Sequence, residues 1–144
     1  MSYTIEELQL GQTASFTKTI SESDVYLFAG ITGDFNPAHV NAAYAGETSF
    51  KKRIVHGMLS ASFISTVIAT YLPGEGSIYL RQDVKFKVPV YFGDTITAKV
   101  EVIEINAQKN RVRLRTVCTN QNNVLVIDGE ATIMPPTKEN HDHV

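Results

Sequence analysis

The feature that most constrains the fold is an apolar segment at residues 57–72, which ends just before Pro73 and Gly74. It contains no Asp or Glu, and scattered Ser and Thr interrupt it, so it is too short and too polar to span a membrane. It therefore predicts one long buried helix. Pro73 and Gly74 predict where this helix ends, because Pro lacks the N–H that a helix interior needs and Gly favours helix C-termini.

Segments of alternating polarity predict strands. The clearest begins at Thr95, where Ile96, Ala98 and Val100 are expected to face inward between polar residues that face outward. The other strand candidates cover residues 13–20, 77–88, 111–119 and 124–134, and residues 120–123 predict a hairpin loop. The chain is therefore expected to be α+β, with an antiparallel sheet wrapped around one long central helix, because no other element is large enough to bury that helix.

Two shorter helices are predicted before the long one. Ser21 or Ser23 is a suitable N-cap for a helix that ends near the glycines within residues 30–33. Asn36 predicts the cap of a second helix over residues 37–45, which begins with the favoured N-terminal Pro.

The loop and helix start at residues 32–39 contain a candidate acid/base pair. Asp34 and His39 lie five residues apart, on either side of an Asn-Pro hinge. The positive end of a helix dipole disfavours imidazolium, so His39 should stay neutral and able to accept a proton near pH 7. Asp34 is expected in the loop that faces the same helix start.

Other interpretations of this pair are open at the level of sequence. An Asp after Gly is more often a turn residue, whose carboxylate caps backbone amides. An isolated His in a first helical turn is more often a surface residue or a hydrogen-bonded core residue. A metal site built from Asp, Asn and His is the weakest alternative, because no second His or carboxylate lies nearby at ligand spacing.

Length and composition indicate one compact domain. The chain has 144 residues, 43% of them hydrophobic and 19% charged, which suffices for a core in a single domain over residues 1–136. Residues 137–144 follow a Pro-Pro pair and are expected to form a disordered tail. Its His141 and His143 are expected to bind metal only adventitiously.

Charge and cysteine content limit the partners and the compartment. A formal net charge of -2 gives no general attraction to nucleic acid or to an anionic membrane, so neither is expected as a partner. Cys118 is the single cysteine, and its place in an alternating segment predicts a buried, inert thiol. The first residues lack a basic region followed by an apolar run. A cytoplasmic location is therefore expected.

Three blocks of sequence occur in a defined order. The first covers residues 28–40 and 42–45 and contains Gly-Asp-Phe-Asn-Pro-Ala-His, the second covers residues 54–65 and begins Ile-Val-His-Gly-Met-Leu, and the third covers residues 76–80, 84–90 and 93–94. These blocks resemble the MaoC-like, (R)-specific enoyl-CoA hydratases, and the pattern is similar to that of the short, single-domain members. The resemblance spans most of the chain and implies a hot dog fold.

The resemblance also implies an activity and a site. The activity is that of a hydro-lyase that interconverts trans-2-enoyl-CoA and (R)-3-hydroxyacyl-CoA, with no cofactor and no metal, since coenzyme A is part of the substrate. Such an activity fits fatty acid metabolism and the supply of polyhydroxyalkanoate precursors. The resemblance carries Asp34 and His39 over as the catalytic pair and the backbone N–H of Gly57 as the donor to the thioester oxygen. Asn36 and Ser65 match supporting positions. Capping alone would also explain Asn36, and a helical serine such as Ser65 more commonly bonds to a carbonyl of its own helix.

The acyl pocket is expected to lie along the long helix and the facing sheet. Its floor is predicted to consist of Leu59, Phe63, Ile64 and Tyr79. A chain of this size has little room for a deep tunnel, so short acyl chains such as that of crotonyl-CoA, on the order of four to six carbons, are expected. His56 is expected either to line the pocket or to be a buried, hydrogen-bonded residue. Candidates for contact with the CoA phosphates, each equally explained by a solvated surface, are Lys51, Lys52, Arg53, Arg81, Lys85 and Lys87.

Three other functions are alternatives. A (3R)-hydroxyacyl-acyl-carrier-protein dehydratase would act on a similar acyl group attached to a carrier protein. An acyl-CoA thioesterase would use a carboxylate on the long helix, and residues 57–72 contain none. A non-catalytic acyl-binding subunit would be expected to lack Asp34 and His39.

A small curved sheet also leaves an edge strand unpaired, which predicts a homodimer or a higher even oligomer.

Overall fold

A computed structural model describes residues 2–141. The elements along the chain are β1 (Thr13–Thr19), α1 (Glu22–Thr32), α2 (Pro37–Val40), α3 (Ala42–Gly46), α4 (Gly57–Thr70), β2 (Ile78–Phe86), β3 (Thr95–Asn106), β4 (Arg111–Thr119), β5 (Leu125–Met134) and α5 (Lys138–His141). The long helix and the five strands therefore lie within a few residues of their predicted positions.

The five strands form one antiparallel sheet in the order β1-β3-β4-β5-β2. Helix α4 packs against β1, β3 and β4. The predicted alternation in β3 is confirmed, since Ile96, Ala98 and Val100 are fully buried. Ile64 and Val67 of α4 pack in the same core cluster. The sheet curves around one central helix, which is the predicted hot dog architecture.

The segment between α1 and α4 differs from the prediction in one respect. Residues 37–45 were expected to form a single helix, but α2 ends at Val40 and a new helix, α3, begins at Ala42. The break lies at Asn41, whose backbone is extended and whose side-chain oxygen accepts a hydrogen bond from the N–H of Tyr44. Asn favours such a cap over a helix interior, because its side chain competes for backbone amides.

The two edges of the sheet differ in polarity. Strand β1 at one edge has exposed Thr and Ser side chains. Strand β2 at the other edge exposes large apolar side chains, among them Ile78, Leu80 and Phe86. Exposed apolar side chains on an unpaired edge strand are typical of a surface that another chain covers.

The C-terminal segment contains a short helix, and the cysteine is buried in the core. The predicted tail at residues 137–144 includes the short helix α5, whereas residues 142–144, and with them His143, lie outside the described residues. Cys118 is fully buried as predicted, and burial raises the pKa of its thiol to about 12. Within residues 2–141, each helix is too short or too polar to cross a membrane.

Candidate active site

His39 lies on α2 with only 9% of its surface exposed. Its Nδ1 is 2.7 Å from the backbone carbonyl oxygen of Ile54, so Nδ1–H donates to that oxygen. In the neutral ring the proton therefore lies on Nδ1, and Nε2 carries a lone pair. The fold thus presents Nε2 of His39 as a proton acceptor.

Burial lowers the pKa of His39, and the neighbouring His56 shifts it in the same direction. The hydrogen bond to Ile54 and the charge of Asp34 act the opposite way and are smaller than the effect of burial. The sequence predicted a neutral ring from the dipole of the helix that carries it. That helix, α2, has only four residues, so the structural cause of the neutral ring is removal from water.

Asp34 lies in the loop between α1 and α2 and is exposed. Its carboxylate oxygen accepts a hydrogen bond from the N–H of Asn36 at 3.2 Å. Asn36 in turn caps α2, since its side-chain oxygen accepts from the N–H of Ala38 at 3.0 Å. The turn interpretation of Asp34 and its position beside His39 therefore both hold, because one carboxylate has enough acceptor sites for a turn amide and a further donor.

His56 is a residue of this site whose contacts the sequence did not reveal. It is 2% exposed, and its ring stacks on that of His39 with a distance of 3.8 Å between ring centroids. Its Nε2–H donates to the backbone carbonyl oxygen of Asp34 at 2.9 Å. The sequence signal that points to it is its position in the block that begins Ile-Val-His-Gly, directly before the glycine that begins the long helix.

The fold brings Asp34, His39 and His56 together with one potential ligand atom of each within 4.8 Å of the others. The sequence offered no second His near the pair, and the fold supplies one. The two imidazoles nevertheless lie nearly parallel, at 29°. Because a ring nitrogen donates its lone pair in the plane of the ring, two stacked rings do not direct their lone pairs at one ion. The arrangement does not fit a shared metal ion.

Gly57 is the first residue of α4, so its N–H has no acceptor within the helix. The ring of Phe86 lies directly against its Cα, and a Cβ at this position would be 2.7 Å from that ring. Within residues 2–141, His56 at the N-cap forms no side-chain hydrogen bond to the α4 backbone. The start of α4 therefore keeps free amides beside an apolar ring, which suits a carbonyl oxygen attached to an apolar chain.

A cavity of about 500 Å³ adjoins Gly57. It lies between the start of α4, the end of β2 and strand β5, and Phe86, Val90 and Ile127 are among its apolar walls. Ile54 also lines it, and the carbonyl of Ile54 holds His39. The cavity and the imidazole pair are therefore adjacent through the segment that leads into α4.

The four residues predicted to form the pocket floor do not line this cavity among the described residues. Leu59 and Ile64 are in the core cluster, and Phe63 packs against Phe16 of β1. Tyr79 lies on the edge strand β2. The cavity lies at the N-terminal end of α4, and the acyl-pocket floor built from these four residues stays a prediction.

Among the described residues, Ser65 and the basic residues predicted to contact CoA form no hydrogen bond or ring contact with His39 or His56. Ser65 is on the exposed side of α4. Arg53 contacts Glu22 at 3.3 Å, and Arg81 pairs with Asp83 at 3.4 Å, so both have partners on the surface. Among the basic residues considered for the CoA phosphates, Lys87 lines the cavity.

Comparison with known proteins agrees with this geometry. The family model described as "MaoC like domain" matches residues 7–124. The chain is 57% identical to an (R)-specific enoyl-CoA hydratase of Rhodospirillum rubrum over 133 residues, which is 92% of each chain. It is 44% identical to a 3-hydroxybutyryl-CoA dehydratase of Methylorubrum extorquens over 137 residues, which is 95% of this chain and 87% of the relative. The solved structure of the R-hydratase PhaJ1 from Pseudomonas aeruginosa is 50% identical and superposes with a TM-score of 0.88 over 94% of this chain and 86% of that one. The chain belongs to the MaoC-like family.

Proposed function

We propose that the protein is an (R)-specific enoyl-CoA hydratase, a hydro-lyase that interconverts trans-2-enoyl-CoA and (R)-3-hydroxyacyl-CoA. The observation that carries the proposal is the state of His39, a buried imidazole whose Nδ1–H is committed to Ile54 and which has a ring nitrogen within 4.8 Å of the Asp34 carboxylate. The names of the two similar relatives, a hydratase and a dehydratase of acyl-CoA substrates, support the same reaction.

The proposed mechanism uses Asp34 and His39 to hold one water molecule. Nε2 of His39 takes a proton from this water while its oxygen forms a bond to C3 of the enoyl thioester. Negative charge develops on the thioester oxygen, and the N–H of Gly57 donates to it. The enolate then takes a proton from the catalytic pair at C2, so one proton leaves water and one is gained by the product. The chain's own groups suffice for this chemistry, and the proposal includes no cofactor.

A short acyl chain is part of the proposal. The cavity of about 500 Å³ lies next to Gly57, and the ring of Phe86 limits it where the acyl chain would enter. Each buried CH₂ gains about 0.8 kcal/mol only while it meets apolar wall, so we expect kcat/KM to be high for crotonyl-CoA and to fall for longer chains. A preference for chains of about ten carbons would contradict this part of the proposal alone.

A homodimer is the proposed assembly. Edge strand β2 exposes apolar side chains, and Met58 on the adjacent face of α4 is 60% exposed. Pairing of two β2 strands would cover both surfaces and satisfy the free backbone groups of each edge. Light scattering during gel filtration should give at least twice the mass of one chain in the active fraction. The mass of a single chain in that fraction would contradict the dimer.

The experiment that tests the function follows the loss of the enoyl thioester absorbance of crotonyl-CoA, with chiral analysis of the product. Formation of (R)-3-hydroxybutyryl-CoA is the expected result. An (S) product or no turnover would overturn the proposal. The same acyl group on an acyl carrier protein is the comparison substrate, and a much higher kcat/KM for it would favour the carrier-protein dehydratase.

The proposed location is the cytoplasm, which the single buried thiol of Cys118 supports.

A further inference from the structure

His56 contacts both members of the proposed catalytic pair, although it lies 22 residues from Asp34 in the sequence. Its Nε2–H binds the backbone carbonyl oxygen of Asp34 and so fixes the loop that carries this carboxylate. The flat face of its ring lies on the ring of His39. Phe28 of α1 packs against His56 at 4.9 Å between ring centroids. The ring of His56 is therefore held by its neighbours, and it holds the two groups that would bind water.

The second nitrogen of His56 shows that packing alone does not explain this residue. Nδ1 is buried, and among residues 2–141 it has no hydrogen-bond partner. A buried polar atom without a partner destabilises a fold, and an apolar ring of similar size would remove that cost. The feature that an apolar ring would not reproduce is the N–H donor to Asp34.

His56 also connects the pair to the start of α4. It is the N-cap residue of this helix, directly before Gly57, yet its side chain is turned toward Asp34 and forms no hydrogen bond to the helix backbone within residues 2–141. One residue therefore joins the Asp34 loop, the His39 ring and the first amide of α4.

We propose that His56 is a positioning residue for hydration, which fixes Asp34 and His39 relative to each other and to Gly57 without touching the substrate. This inference rests on the proposed function. Small errors in the placement of catalytic groups reduce rates strongly, so loss of the N–H donor should lower kcat and leave substrate binding almost unchanged.

The test compares three substitutions at position 56. His56→Phe keeps an aromatic ring but removes the donor, His56→Gln keeps a donor near the position of Nε2, and His56→Asn places its amide near the position of Nδ1, too far back to reach Asp34. We expect kcat for crotonyl-CoA to fall by about 10-fold to 100-fold in His56→Phe and His56→Asn, with KM within about threefold of wild type. The kcat of His56→Gln should be at least about fivefold higher than that of His56→Phe. Should His56→Phe not fold, His56→Asn provides the comparison, with KM for crotonyl-CoA as the check on capping of the α4 amides by the Asn side chain.

Ile68→Val is the control for a purely structural effect. Ile68 is buried on α4 away from the imidazole pair, and its truncation lowers stability without removing a polar contact. We expect this variant to lose Tm and to keep the kcat of the wild type. If kcat follows Tm across all four variants, or if His56→Phe equals or exceeds His56→Gln in kcat, the inference is wrong.

A measurement without substrate separates this inference from the proposed function. Amide hydrogen exchange over residues 34–39 should be faster in His56→Phe than in wild type, and Ile68→Val should not change it. If wild type does not hydrate crotonyl-CoA, the proposed function fails and the exchange comparison still decides whether His56 holds the loop. Unchanged exchange in His56→Phe would overturn the positioning role.

Discussion

Helices α1 and α4 begin in opposite ways. At the start of α1 the Ser21 side chain accepts a hydrogen bond from the N–H of Asp24 at 3.1 Å, and the Asp24 carboxylate accepts one from the N–H of Ser21 at 3.0 Å. At the start of α4 the N-cap is His56, whose side chain forms no such bond within the described chain. The first helix closes its own amides, and the second leaves them available to a ligand.

This difference separates a structural helix start from a functional one. Both ends carry the positive end of a helix dipole, so the dipole by itself distinguishes nothing. At α4 the free amide of Gly57 meets an apolar cavity, and two imidazoles and a carboxylate lie beside it. The comparison predicts that substitutions near the start of α4 affect turnover, whereas those at the start of α1 affect stability alone.

The largest expected effect is loss of a member of the catalytic pair. His39→Ala or Asp34→Asn should lower kcat for crotonyl-CoA by about 10²-fold to 10⁴-fold, the range of general acid or base catalysis. Steady-state kinetics with purified protein measures it, with circular dichroism to check the fold. Near-normal turnover in both variants would contradict the assignment of Asp34 and His39 as catalytic residues. It would also contradict a role of the open start of α4 in turnover.

A smaller loss is expected when a methyl group is added at Gly57. The new Cβ of Gly57→Ala would lie 2.7 Å from the Phe86 ring, so the ring must move at the place where the thioester would meet the amide. We expect kcat/KM to fall by about 10-fold to 100-fold. This decrease is no larger than the decrease in rate caused by complete loss of an oxyanion donor.

Gly30 of α1 provides the matched control for Gly57. A Cβ at Gly30 meets nothing in the described chain within 4 Å. Gly30→Ala should leave kcat/KM unchanged and raise the free energy of unfolding by up to about 1 kcal/mol, because Ala is the better helix former. Equal kinetic losses in the two alanine variants would show that the surroundings of Gly57 are not special.

The pH dependence of turnover tests whether His39 is the base. Burial lowers the pKa of His39 below its usual value near 6.5, and a neutral ring is needed to accept the proton of water. The acidic decline of kcat/KM should therefore lie below about pH 6.5, with turnover retained at pH 7. An acidic decline centred above pH 7 would contradict His39 as the base.

The same shift makes the stability depend on pH, and its sign is fixed by linkage. Between the pKa of His39 in the folded protein and the value near 6.5 in the unfolded chain, the unfolded chain binds more protons. This contribution to stability is present above about pH 6.5 and is lost as the pH falls through that window. Denaturant titrations at several pH values give the free energy of unfolding. Over this pH range, it should change more steeply with pH in wild type than in His39→Gln.

The sequence was informative where local chemistry decides the structure. Capping preferences predicted Ser21 or Ser23 as the cap of the first helix and Asn36 as the cap of the second, and Ser21 and Asn36 cap α1 and α2. The apolar segment predicted a long helix from residue 57, where α4 begins. The alternation around Val100 predicted which face of β3 is buried. These features depend on neighbours a few residues away, so a single sequence contains them.

The features that the sequence did not reveal depend on contacts between distant segments. The bond from His56 to Asp34 and its stacking on His39 exist only after α4 has packed beside the loop. The cavity beside Gly57 was not predicted for the same reason, since Leu59 and Phe63 are apolar and helical whichever side of α4 faces open space. A hydrophobic pattern identifies what is buried but not which buried surface adjoins a cavity.

The smallest expected effect comes from opening the closed start of α1. Ser21→Ala removes the acceptor for the N–H of Asp24 and should lower the free energy of unfolding by about 0.5–2 kcal/mol, as other N-cap serines do. Ser21→Gly should cost only a few tenths of a kcal/mol, because the backbone then remains open to water. The Asp24 carboxylate keeps its contact with Lys18 at 2.9 Å, so the surface around the helix start is otherwise preserved. Urea unfolding measures the two losses, and kcat/KM for crotonyl-CoA should equal that of wild type in both variants. A lower kcat/KM in Ser21→Ala, at a temperature well below its Tm, would mean that a change at the start of α1 alters the Asp34 loop at the other end of this helix. The distinction between a structural and a functional helix start would then be wrong.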